Sequence, residues 1–326
     1  MRAVVVRQFG EPSVLQVEEV ATPSPGPGEV LVRVRAAGVN PVDTYIRAGL
    51  GAAQALPYTP GEDASGDVAE LGQGTGPTGL SIGQRVYLSG SISGTYADYT
   101  LCRPEHVHPL PDRCSYAQGA AVGVPYGTAY RALFQKAAAQ AGETVLVHGA
   151  SGGVGLAAVQ LAVAAGITAI GSASSAAGRR LVENAGATHV VDHSRDDHFE
   201  AVLELTQGRG VDVILEMRSD LNLGRDLPLL AAGGRVVCVG NRGPRNEGTV
   251  AINARDLMRR DGTILGMLLP DAGHPDMASL HAALVKGLAS GELRPVIARE
   301  LPLERAAEAH RLVMAGPALG KTVLVP

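Results

Sequence analysis

Thr144-Val-Leu-Val-His-Gly-Ala-Ser-Gly-Gly-Val-Gly155 is the stretch whose reading decides the fold. Residues 144–147 are a short apolar, β-branched run, the pattern of a strand buried on both faces of a parallel sheet. Gly149, Gly152, Gly153 and Gly155 then turn the chain tightly, and residues 156–165 (LAAVQLAVAA) continue as a helix without a charge on it. Strand, glycine turn and buried helix together make a dinucleotide-binding unit. The glycines let the backbone approach a pyrophosphate, and the helix start offers it free N–H groups and positive dipole.

Outward from this stretch the chain divides into two patterns. Downstream, apolar strands at 168–171, 189–191, 211–216 and 234–239 alternate with helices at 178–185, 198–206 and 221–231. That alternation predicts an α/β, doubly wound parallel (Rossmann) sheet, which a strand at 263–269 extends. Upstream, a hairpin over 1–20 and short strands at 29–36, 64–71, 85–88 and 94–101 predict an antiparallel, barrel-like domain. Helices are expected at 115–121 and 128–141. A tail of helix (275–290), strand (296–301), helix (303–314) and strand (321–325) is expected to pack back onto the first domain. The expected partition is 1–122 with 267–326 for a catalytic domain and 123–266 for the cofactor domain.

Composition bounds the function. The chain has 326 residues, 45% hydrophobic and 18% charged, enough for two packed domains. A formal net charge of −4 without a basic block argues against nucleic-acid binding as the main activity. Three scattered cysteines, no signal-peptide core and no long apolar run point to a reducing, cytoplasmic location without a membrane span. All eight tyrosines fall within the first 130 residues, which suits two domains with different tasks.

The residues after the second strand speak to cofactor identity. An acidic side chain for the ribose 2′-OH is expected about 20 residues past the glycines; Ile170-Gly-Ser-Ala-Ser-Ser175 has none. Arg179 and Arg180 follow, and His193 lies past the next strand. Small hydroxyls with cations favour NADP over NAD, the competing reading of the arginines being a solvated helix face. Val239-Gly-Asn-Arg242 closes another parallel strand, where Gly240 permits close approach to the nicotinamide side and Arg242 either reaches a phosphate or caps a turn. No metal site is read: His106-x-His108 has no nearby cysteine and reads as surface. There is no Ser-His-Asp order, HExxH or GxSxG.

Longer blocks carry a resemblance along the whole chain: Ala37-Gly-Val-Asn-Pro-Val-Asp-Thr-Tyr-Ile-Arg47, Leu56-Pro-Tyr-Thr-Pro-Gly61, Gly123-Val-Pro-Tyr-Gly-Thr-Ala-Tyr-Arg-Ala-Leu133, the glycine turn, Ala232-Gly-Gly-Arg-Val-Val237 and Ile252-Asn-Ala-Arg-Asp256. The chain resembles the zeta-crystallin-like quinone oxidoreductases, a zinc-independent branch of the medium-chain dehydrogenase/reductase superfamily with a GroES-like catalytic domain. Zinc alcohol dehydrogenases of that superfamily carry a ligand cysteine where Asn40 stands, a His-Glu pair where Glu62 and Asp63 stand, and a four-cysteine lobe absent here. Without a metal there is no Lewis acid for an alcohol, whereas a quinone is already electrophilic.

The resemblance implies an NADPH-dependent quinone reductase, hydride or electrons passing to a small-molecule quinone in the cleft between domains. By the same resemblance, Tyr45 lies beside the nicotinamide and Asn40 polarises the substrate carbonyl, with Tyr126 lining the quinone pocket or packing between domains. Thr128 faces the carboxamide, Ser151, Gly152, Gly153 and Val154 form the pyrophosphate turn, and Ser174 and His193 meet the adenosine phosphate. Asn222, Val239, Gly240, Asn241, Arg242, Met267, Leu268 and Leu269 match further cofactor contacts. Two departures stand out: Gly178 where relatives have a lysine, and a longer 243–248 loop in which Arg245 is placed to meet a phosphate. The resemblance also implies a homodimer, or a tetramer, through the strand at 263–269. Two other activities stay open: an enone or enoyl-thioester reductase, and a cofactor-stabilised RNA-binding or structural, crystallin-like protein.

Overall fold

The computed structural model describes residues 1–50, 54–241 and 248–326. Its strands are β1 (Arg2–Val5), β2 (Gln16–Glu19), β3 (Val30–Val39), β4 (Asp63–Leu71), β5 (Arg85–Ser89), β6 (Tyr99–Cys102), β7 (Val107–Pro109), β8 (Thr144–Val147), β9 (Thr168–Ser172), β10 (His189–Val191), β11 (Val211–Glu216), β12 (Leu230–Cys238), β13 (Thr263–Gly266), β14 (Ile297–Pro302) and β15 (Lys321–Val325). The chain forms two compact units: residues 1–125 with 281–316 and 320–326, and residues 126–280 with 317–319. The observed divisions fall at 125/126 and 280/281 instead of 122/123 and 266/267, because residues 267–280 pack with the parallel-sheet unit.

In the second unit six strands make one parallel sheet in the order β10-β9-β8-β11-β12-β13. Strand order reverses between β8 and β11, the switch point at whose carboxyl ends such sheets bind ligands. Leu146, Ile170, Ile214 and Val236, at most 1% exposed, carry its core. The glycine turn follows β8 at this switch point. Gly149 sits at φ +57°, a conformation that costs glycine nothing. A Cβ on Gly155 would lie 2.5 Å from the Cα of Ala150, so only glycine lets the helix Gly153–Ala164 fold back this closely.

In the first unit β14-β15-β3-β4-β5-β7 form a sheet with β6 also on β3, antiparallel throughout except β14 with β15. The hairpin β1–β2 stands as a separate two-stranded sheet. β15, from the tail, pairs with both β14 and β3, and places Leu324 in the same core as Val32, Leu88 and Tyr96.

Several local expectations change. The helix expected over 128–141 begins at Gly123 and widens into a π-helical segment, Arg131–Lys136. The helix expected over 221–231 is Ser219–Asp226, because Pro228 cannot donate within a helix and Leu230 already opens β12. Of the 94–101 segment only residues 99–101 belong to a strand, β6, which runs on to Cys102. The helix Ala254–Arg259 was not anticipated, although its N-cap Asn253, which accepts from the Arg255 N–H, is a signal that sequence carries. His108 is not a surface residue: its ring stacks on His281 at 3.7 Å between centroids, and its Nε2 bonds Ser89 Oγ at 2.9 Å.

Candidate active site

At the carboxyl ends of the parallel strands, the helix Gly153–Ala164 begins with no side chain capping it, since its N-cap is Gly152. The first N–H groups of such a helix have no intrahelical acceptor, so the turn presents donors toward an anion. Among the described residues of that unit, a Cβ on Gly152 would meet only Ala318 Cβ and the Gly149 carbonyl, each at 3.5 Å. Ser151 is 6% exposed. The turn is held from behind by Ser172, whose Oγ accepts from the Gly149 N–H at 3.2 Å and bonds His193 Nδ1 at 3.1 Å. Burial pushes the His193 imidazole below its usual value, leaving it neutral near pH 7.

One strand further along, Arg179 donates through Nη1 to the Ser174 carbonyl at 3.0 Å and to Asp192 Oδ2 at 2.6 Å. The structure thus gathers Ser174, Arg179 and His193 beside one another. It also adds Asp192, a carboxylate that sequence reasoning passed over because it ends the third strand rather than the second. Arg180 is exposed on the helix surface.

The other expected cofactor contacts have neighbours within the protein. The Asn222 amide donates to both oxygens of Glu216, at 3.3 and 3.2 Å. Val239 and Gly240 donate their N–H groups to the Glu216 carbonyl, and Gly240 accepts from the Ser219 N–H and Oγ. Glycine is needed at 240 because a Cβ would lie 2.5 Å from the Met217 carbonyl oxygen; the close approach is to backbone. Asn241 Nδ2 donates to the Gly248 carbonyl at 2.8 Å, while Arg242 and Arg245 lie outside the described residues. Thr128 is 8% exposed on the helix Gly123–Tyr130. Leu269 comes within about 3.2 Å of where a Gly127 Cβ would stand, and Leu268, beside Met267, is 60% exposed. Tyr126 is 2% exposed and donates its hydroxyl to Gln160 Oε1 at 2.8 Å, so it packs inside the parallel-sheet unit rather than standing open to a substrate.

Beneath the glycine turn lies a cluster that sequence spacing could not reveal. His148 Nε2 is 2.8 Å from Asp226 Oδ1 and 3.4 Å from Glu216 Oε2, all three residues being at most 4% exposed. Among the described residues this is the one group of three side chains close enough to hold a metal ion. The 2.8 Å separation is that of a hydrogen bond, and the cluster reads as carboxyls and imidazole sharing protons. Burial raises both Glu216 and Asp226 to about 7 and lowers His148.

In the antiparallel unit Asn40 is the N-cap of the short helix Pro41–Arg47, which also carries half-buried Tyr45. The Asn40 N–H donates to Asp43 Oδ2 at 2.7 Å, and Tyr96 donates to the same oxygen at 3.0 Å. Burial raises Asp43 to about 6, despite these bonds. The Asn40 side chain is 2% exposed: its Nδ2 donates to Asp63 Oδ2 at 2.9 Å and its Oδ1 accepts from Lys321 Nζ. Lys321 also pairs with Asp63 Oδ2 at 2.9 Å. Lys321 was missed at the sequence level, although a lysine opening an apolar strand is a signal worth reading. Alongside, a cavity of about 590 Å³ is lined by Asp43, Ile46, Tyr58, Glu62 and Ser91 among others.

Residues 26–112 match the alcohol dehydrogenase GroES-like domain, and residues 153–286 the zinc-binding dehydrogenase domain. The Homo sapiens quinone oxidoreductase is 43% identical over 328 residues, covering 100% of this chain and 98% of that protein. The chain belongs to the quinone oxidoreductase family. Among solved structures, the Escherichia coli quinone oxidoreductase in complex with NADPH superposes with a TM-score of 0.89 at 28% identity, all of both chains being covered. An NAD-dependent alcohol dehydrogenase also matches, at TM-score 0.89 and 30% identity over both full chains. Membership of the quinone oxidoreductase family makes this chain an oxidoreductase enzyme. Among the described residues no helix is long and apolar enough to cross a membrane.

Proposed function

We propose that this chain is an NADPH-dependent, zinc-independent quinone reductase. The observation that carries the cofactor half is the patch of Ser174, Arg179 and His193 beside the uncapped helix start at Gly153. The donors at 153–154 and the open face of Gly152 suit a pyrophosphate, and the guanidinium of Arg179, with donors left beyond Nη1, suits a 2′-phosphate. Asp192 tempers this preference and orients the guanidinium. Structural relatives of both cofactor classes exist, so the preference for NADPH is read from these residues.

NADPH, when bound, supplies a hydride from its reduced nicotinamide. Tyr45 and Asn40 are the groups for the acceptor: each offers a donor that can stabilise charge developing on a quinone oxygen. Zinc does not suit the Asn40 position. The donors there are one amide oxygen and one carboxylate already paired with the Lys321 ammonium, and a divalent cation beside that ammonium would be repelled. The exposed edge strand β13, with Leu268 60% exposed just beyond it, is the surface we assign to homodimerisation.

Anaerobic steady-state assays with NADPH or NADH against a 1,4-quinone, an ortho-quinone and an α,β-unsaturated ketone test the reading. Quinone-dependent oxidation with a preference for NADPH is expected. Reduction of the enone alone would replace it, and a preference for NADH would overturn the assignment of the Ser174–Arg179–His193 patch.

A further inference from the structure

We infer that Lys321 is a positioning residue that fixes which way the Asn40 amide faces, so that Asn40 meets a substrate through an N–H donor. The inference rests on the reading of Asn40 as a substrate contact and specifies its chemistry.

An ammonium has only donors and a carboxylate only acceptors. Lys321 Nζ must therefore face Asn40 Oδ1, and Asp63 Oδ2 must face Asn40 Nδ2, as observed. Turning the amide over would set its N–H against an ammonium and its oxygen against a carboxylate. The usual ambiguity between amide oxygen and nitrogen is removed by the two neighbours. One Nδ2–H is spent on Asp63, and the other remains as the only donor the side chain can give.

The clamp is rigidly enclosed. Asp63 is 0% exposed, and its second oxygen accepts from the Val124 N–H at 2.7 Å. A Cβ on Gly38 would lie 2.9 Å from both Asp63 Cβ and Lys321 Cε, and one on Gly123 would lie 2.5 Å from Asp63 Oδ1. Two glycines thus make room for a buried ion pair and leave it no freedom. The ammonium at Oδ1 also withdraws electron density from the amide, which strengthens the remaining N–H as a donor. A substrate atom meeting it must be an acceptor, as a quinone or ketone oxygen is.

The test removes both charges together, because removing one would leave the other buried without a partner. In Asp63→Asn/Lys321→Met the new amide at 63 can keep its bond from Val124 and turn its own N–H toward Asn40, which inverts the Asn40 amide. Protein labelled with ¹⁵N-asparagine gives a direct view: the Asn40 side-chain pair is assigned by its loss in Asn40→Ala. In the wild type, one of its two protons should exchange with solvent about tenfold more slowly than the other, and the double variant should lose that asymmetry. With NADPH and a 1,4-quinone the double variant should lose about tenfold in kcat with KM for NADPH within about twofold of wild type. Adding Asn40→Ala to it should cost nothing more than Asn40→Ala alone. An unchanged amide asymmetry in the double variant overturns the clamp. A lost asymmetry with unchanged kcat overturns its role in positioning while leaving quinone reduction standing. Wild-type kcat in Asn40→Ala overturns the reading of Asn40, and this inference with it.

Discussion

Glu216→Gln isolates the energetics of the buried cluster under the glycine turn. Glu216 is 0% exposed, and burial, the largest influence, raises it from 4.5 to about 7 against the opposing pull of His148. A group whose folded pKa lies above its unfolded one holds its proton more tightly in the fold. Its stabilisation is complete below the unfolded value and is lost as pH rises through the folded one. At ~1.4 kcal/mol per unit, the shift from 4.5 to about 7 amounts to about 3 kcal/mol. Only one carboxyl is counted, since ionisation of Glu216 and of Asp226 is coupled. His148 acts in the opposite direction: burial lowers it from 6.5, so stability is lost as pH falls below that value. The wild-type curve is therefore a dome, and the comparison with the variant carries the information. Glutamine keeps an acceptor for the Arg218 N–H and cannot ionise. Urea unfolding should be followed by far-ultraviolet circular dichroism, because the chain has no tryptophan. Wild-type stability minus variant stability should fall by about 3 kcal/mol between about pH 4 and about pH 8. A difference that stays flat or grows with pH would refute the reasoning.

Other perturbations follow from the same geometry. Arg179→Ala should reduce the preference for NADPH over NADH by about tenfold in kcat/KM, the scale of a lost charge-assisted hydrogen bond; an unchanged ratio places the 2′-phosphate elsewhere. Gly123→Ala, whose Cβ would stand 2.5 Å from Asp63 Oδ1 and 2.6 Å from the Leu88 carbonyl oxygen, should cost about 1–3 kcal/mol, read as a lowered Tm. Gly316→Ala, with no atom of the described residues within 4 Å, should leave Tm unchanged. Tyr45→Phe should lower kcat for quinone about tenfold with NADPH affinity unchanged, measured by steady-state kinetics and fluorescence titration. Dialysis against a chelator should leave quinone-dependent NADPH oxidation intact; a loss restored by Zn²⁺ would overturn the metal-free reading.

The parallel sheet was legible because its signal is local. β8, the glycine turn and the uncharged helix each declare themselves within a dozen residues, and successive strands repeat the pattern. Placement of the tail strand followed from what was left over once the sheet was assigned. Helix ends were less legible: Pro228 was available to read, but the π-helical widening at Arg131–Lys136 depends on packing that no local pattern announces. The candidate site divides the same way. Ser174, Arg179 and His193 could be grouped from their distance past the glycines. The pairs Lys321–Asn40 and His148–Asp226 could not, since sequence separations of 281 and 78 residues leave only a lone lysine and a lone histidine to notice. Asn222 and Tyr126 stand at matching positions whose bonds within the protein, to Glu216 and Gln160, no local pattern announces.

The pairing of β15 with β3 also sets an order of events during synthesis. Residues 126–280 of the parallel-sheet unit emerge from the ribosome as one continuous stretch and can close their sheet without waiting. The antiparallel sheet cannot: β3 must hold an open edge until β15, some 280 residues later, has been made. Because β15 begins with Lys321, the amide clamp at Asn40 is assembled only when that edge is filled. Until then residues 37–39 of β3 are an unpaired edge, the kind of surface that invites misassociation in a nascent chain.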